Sequence, residues 1–148
     1  MWRRVRTIYD GNAVIYDDDD ILCVAQTLLG EARGEGVEGM RVVAHVILNR
    51  TLDQRWPRTP AKVCKQPWQF SCWSDVDWNS SNKETMLGLT WKNQRFREAY
   101  GLAAYVLAGL DTDLTNGANH YHHYGMKPTW ADPTKTTARL GRHVFYRL

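Results

Sequence analysis

Two apolar stripes at helical spacing, joined by a glycine-flanked turn, constrain this 148-residue chain more than anything else in it. Ile21, Ala25, Leu28, Leu29 and Ala32 recur at the interval that places them on one face of a helix. Met40, Val43, Ala44, Ile47 and Leu48 form a second stripe, on a helix predicted from Val37 to about Asp53. Only Gly34, Glu35 and Gly36 stand between them, so the two helices are expected to pack as a hairpin. Asp17-Asp18-Asp19-Asp20 precede the first helix. Carboxylates there favour the positive end of the helix dipole, and one of them can cap it. The alternating oxygen ligands and glycine bend of a calcium loop are absent.

Phe96, Ala99, Tyr100, Ala103, Val106 and Leu107 predict a third helix over Gln94–Leu107, with Gly109 as its stop. From Arg55 to about Asn93 the pattern is irregular. Trp56-Pro57 and Thr59-Pro60 break any helix, Ala61–Cys64 suits a single helical turn, and Ser80-Ser81-Asn82 reads as exposed. Gly141–Tyr146 alternates loosely, as a short strand does. Residues 1–16 show no helical period and read as an arm or short extended segment laid on a domain formed by residues 17–148. The expected fold class is mainly α (α+β): one domain with a helical hairpin, a third long helix and a short β or irregular region.

With 43% hydrophobic and 24% charged residues, the composition fits one globular domain with a core of its own. The net charge of +3 suits an anionic polymer. No basic stripe interleaved with aromatics argues for nucleic acid. Met1–Arg6 is not followed by an apolar run, so no signal peptide is expected, and no run is long enough for an integral membrane segment. Synthesis in a cytoplasm without a leader follows as the expectation. Three cysteines, an odd number, argue against a disulfide framework. Cys23 reads as a buried thiol, and a Cys64–Cys72 bridge across a loop is disfavoured by a reducing compartment.

Three groups of residues carry chemistry. Glu31 projects about 80° from Ile21 at the helical angle, on the border of the buried stripe and in the last turn. Partial burial and the negative helix end both raise a carboxyl's pKa, as a general acid for glycosidic cleavage requires. Position alone leaves a second role open, a solvated glutamate paired with Arg33 or Arg50. Glu35, between two glycines, is the competing acid. The His120-Tyr121-His122-His123 run invites a zinc reading, but His122 and His123 are adjacent and His120 and His122 share a face only in an extended strand. It reads better as an aromatic lining of a cleft. Trp68-Gln69-Phe70 offers rings to stack on sugars and an amide to bond them, and it serves equally as packing. No phosphate loop, serine elbow or paired-cysteine motif is present.

The run Glu31-Ala32-Arg33-Gly34-Glu35, then Gly39, then Val43–Arg50, resembles the catalytic domain of SleB-type cell wall hydrolases, which include spore cortex-lytic enzymes and phage endolysins. The resemblance continues through Pro57, Val63 and Gln69-Phe70-Ser71. It resumes at Gly117-Ala118, His120-Tyr121 and Pro128-Thr129-Trp130-Ala131, and ends at Gly141–Tyr146. It covers most of residues 20–147 in order. It implies a lysozyme-like, mostly helical fold and cleavage of peptidoglycan glycan strands, as a lytic transglycosylase or muramidase. It makes Glu31 the general acid and then the base, facing a groove that accepts a sugar chain. Gln69, Phe70, His120 and Tyr121 match positions near that groove, where they would contact substrate. No cofactor and no metal are implied, and a monomer is expected. The compact chain looks more like a phage endolysin than a spore enzyme. Two rivals remain: a zinc amidase using His120 with His122 or His143, and a non-catalytic wall-binding module.

Overall fold

The computed structural model describes residues 5–9, 12–67, 69–74 and 77–148. Trp68, which shares the aromatic and amide loop with Gln69 and Phe70, lies outside the described residues. Helix α1 (Asp18–Ala32) starts on Asp17, whose side chain accepts from the Asp20 N–H while Asp20 accepts from the Asp17 N–H, both at 3.0 Å. This reciprocal cap satisfies two of the orphan donors of the first turn. A single 3-10 turn, Arg33–Glu35, and Gly36 at φ 75° lead into α2 (Gly36–Leu52). The left-handed φ is what reserves the position for glycine. The hairpin and the third helix, α5 (Gln94–Leu107), lie where the stripes predict them.

Helix α5 packs across both α1 and α2, and their apolar faces close one core around Leu28, Leu29, Met40, Ile47 and Leu107. Val42 and Val46 extend the burial of α2 to a second flank, where Ala118 and Phe145 cover them. A three-stranded antiparallel sheet supplies that cover, in the order β3 (His120–His123), β5 (His143–Tyr146), β4 (Thr136–Leu140). Strands β1 (Val5–Tyr9) and β2 (Asn12–Tyr16) form a separate hairpin, whose Val14 and Tyr16 are buried in the helical core.

The stretch read as irregular holds more helix than expected. Helix α3 (Pro60–Lys65) is capped by Thr59, a 3-10 turn covers Ser71–Trp73, and α4 spans Asp77–Gly88. Ser80-Ser81-Asn82 thus lies inside a helix, and the Asn82 amide donates to the Gly30 carbonyl at 3.3 Å. Helix α4 carries no apolar stripe. It attaches to α1 through Met86, which is fully buried. All three cysteines are free and buried, so Cys64 and Cys72 are not bridged. Among the described residues no helix is long and apolar enough to cross a membrane.

Candidate active site

Glu31 lies in the last turn of α1 and is half-buried, as its place on the stripe's border predicts. Gly30, one residue before it, makes room for its partner. A Cβ at Gly30 would meet Cys72 Cβ at 2.4 Å, so only glycine lets the Ser71–Trp73 turn come this close to α1. Trp73 pins that turn, its indole N–H donating to Thr27 Oγ1 at 2.9 Å. The Cys72 N–H then reaches Glu31 Oε1 at 3.4 Å. Burial pushes the Glu31 pKa up, and the neighbouring Cys72 pulls against it without cancelling it. The Cys72 thiol is itself held far above its ordinary range by burial and by Glu31, so it stays protonated.

The paired-glutamate alternative does not hold. Arg33 donates to the Leu29 carbonyl at 2.9 Å. Arg50 is buried, donating to the Asn119 carbonyl at 2.7 Å and to Gln69 Oε1 at 3.1 Å. Among the described residues Glu31 has no ion-pair partner.

Arg50 organises the rest of the site. Its guanidinium lies 5.3 Å from the Phe70 ring and 5.7 Å from Trp56, close enough for cation–π attraction. Phe70 faces the core at 5% exposure, beneath Arg50, while Gln69 is exposed. His120 packs edge-on to Trp56 at 5.8 Å and tilts against Trp130 at 5.1 Å. Burial, with Arg50 and Arg55 nearby, lowers its pKa to about 4, so it is neutral at physiological pH. Tyr121, next along β3, points to the other face, stacking on Phe145 at 5.8 Å. Its phenol is held protonated by burial and by the charges of Glu31 and Glu35. Tyr121 therefore lies within electrostatic reach of both Glu31 and Arg50, Gln69 is held on Arg50, and His120, on the other face of the same strand, packs on Trp56 beside Arg50.

His122 engages both ring nitrogens, with the His123 carbonyl and the Tyr146 hydroxyl, each at 2.7 Å. Among the described residues no group of three His, Cys, Asp or Glu side chains is placed to hold a metal ion. Glu35, the competing acid, stands 3.6 Å from His143 Nδ1. Three cavities, of about 510, 520 and 470 Å³, do not include Glu31 in their walls, and the last begins at Glu35 and His143. Sequence reasoning missed Cys72 as the donor to Glu31 and Arg50 as the hub. Cys72 gives no signal, but a charged residue three positions after the buried Ile47 could have pointed to Arg50.

Comparison with known proteins gives this geometry a family. The sequence pattern of the Cell Wall Hydrolase family matches residues 34–146. A spore cortex-lytic enzyme of Oceanobacillus iheyensis is 42% identical over 134 residues, covering 88% of this chain and 42% of that protein. One from Halalkalibacterium halodurans is 31% identical over 132 residues, covering 88% of this chain and 35% of that protein. The chain thus spans well under half the length of these curated relatives. The catalytic domain of the germination-specific lytic transglycosylase SleB from Bacillus anthracis superposes with a TM-score of 0.66 at 26% identity, covering 95% of this chain and 100% of that domain. The mostly helical α+β fold is that of the SleB catalytic domain, and the chain belongs to the cell wall hydrolase family.

Proposed function

We propose that this protein cleaves the glycan strands of peptidoglycan, with Glu31 as general acid and then general base. One observation carries the reading. The Glu31 carboxyl is oriented by Cys72, shielded enough for its pKa to rise, and has no cationic partner among the described residues. A carboxyl kept protonated towards neutral pH can give its proton to a glycosidic oxygen.

In the reaction proposed, protonated Glu31 donates to the oxygen between muramic C1 and the next sugar. The C1–O bond breaks through an oxocarbenium-like state, and the leaving sugar departs as an alcohol. The Glu31 carboxylate then takes the proton of the muramic 6-hydroxyl as O6 bonds to C1. A 1,6-anhydro end forms, no water is consumed, and Glu31 is protonated again. The B. anthracis relative is a lytic transglycosylase, which supports this course over hydrolysis. Gln69, His120 and Tyr121 are proposed to contact the strand, and Phe70 to act from below by holding Arg50. Residues 17–148 are proposed as the catalytic unit, with 1–16 as an arm on it.

Digestion of purified sacculi tests the reading. Fragments one water lighter than hydrolytic muropeptides are expected, and Glu31→Gln should release about 100- to 10,000-fold less, the usual contribution of general acid–base catalysis. Fragments of hydrolytic mass would replace the anhydro course. Free peptides with intact glycan would indicate an amidase, and binding without release a wall-binding module.

A further inference from the structure

The cavity that begins at Glu35 and His143 is not needed for bond cleavage at Glu31. It encloses about 470 Å³, within the span of pockets that take small ligands, roughly 300–1,000 Å³. Its walls differ in chemistry. Val42, Leu114 and Leu140 supply an apolar side, where Leu114 remains 40% exposed. Glu35 and Glu38 bring carboxylates, and Arg142 brings a guanidinium without an ion-pair partner among the described residues.

Glu35 is held in place. A methyl group at Gly39 would come within 2.5 Å of Glu35 Cβ and 3.1 Å of its Oε2, so glycine there lets the side chain lie across the first turn of α2. Its Oε1 faces His143. Tyr121 links this cavity to the site: its phenol feels the charges of both Glu31 and Glu35, and its ring meets His143 edge-on at 5.4 Å. A polymer lying across Tyr121 with its scissile bond at Glu31 presents a neighbouring group to the cavity.

The geometry points to this cavity as the subsite for the peptide stem that muramic acid carries, an inference that rests on glycan cleavage at Glu31. The apolar side suits alanyl methyl groups. Glu35 and Glu38 face the ammonium of a stem diamino acid, and Arg142 can take a stem carboxylate through paired N–H donors. A further sugar, bearing hydroxyl and acetamido groups, would leave Arg142 without a counter-charge.

The test uses two soluble preparations from the same sacculi: strands freed of cross-links by an endopeptidase but keeping their stems, and strands stripped of stems by an amidase. Wild-type protein should cut the stem-bearing strands with kcat/KM about tenfold higher, the equivalent of one charge-assisted contact. Arg142→Ala and Glu35→Gln, both at exposed positions, should bring that ratio close to unity through KM while thermal melts stay in place. Equal wild-type kcat/KM on both preparations, or variants that lower both by the same factor, overturns the stem subsite alone and favours a saccharide subsite. Wild-type protein that cuts neither overturns glycan cleavage, and the subsite falls with it.

Discussion

Glu31 concentrates the conflict between chemistry and stability in one side chain. Burial raises its pKa above the ordinary 4.5, so the folded state prefers the protonated form. Its contribution to stability is complete below 4.5 and is lost as pH rises from there through the raised folded value. Glutamine keeps an oxygen for the Cys72 N–H and never ionises. Glu31→Gln should therefore melt at the same temperature as wild type near pH 4 and higher than wild type at pH 8, as calorimetry would show. A variant that loses activity without that pH-dependent gain would mean the carboxyl is solvated.

Between elements, the close approach of the Ser71–Trp73 turn to α1 depends on Gly30. Gly30→Ala gains up to about 1 kcal/mol of helix propensity but forces a Cβ to 2.4 Å from Cys72 Cβ, an overpacking that costs about 1–3 kcal/mol. Net destabilisation in urea melts is expected, with lower activity as the Cys72 N–H leaves the carboxyl. The three helices with apolar stripes were legible in the sequence because burial on one face imposes a period. Helix α4 was not, because its sequence carries no apolar period; among its described side chains Met86 is the buried one, and tertiary contact defines it. The same division runs through the site. Glu31 stood out by its angle on the stripe, and the His120–His123 segment formed the extended strand that would put His120 and His122 on one face. The Cys72 bond and the Arg50 hub come from contacts 41 and 19 to 69 positions away in the chain, which no local pattern encodes.

For the whole molecule, the segment between α5 and the sheet is tied to α2 by a charged cluster. Asp111 accepts from Arg41 at 2.7 and 2.8 Å and lies 2.6 Å from buried His45 Nε2. Burial raises the Asp111 pKa, but the bonds from Arg41 and His45 outweigh it and hold the carboxyl below 3.8. The stability it confers is present above 3.8 and is lost as pH falls through the lower folded value. Asp111→Ala leaves His45 Nε2 without this partner and should cost about 1–3 kcal/mol. The loss should be visible in denaturant melts at pH 7 and smaller once acid has already protonated the wild-type carboxyl.

The three thiols, all sequestered, make the chain its own unfolding gauge. A maleimide can reach Cys23, Cys64 or Cys72 only when the core opens, so the alkylation rate in native buffer should follow the frequency of opening. Tight substrate engagement at the end of α1 should slow the modification of Cys72 first. Rapid labelling of all three in the native protein would show that the core is not closed.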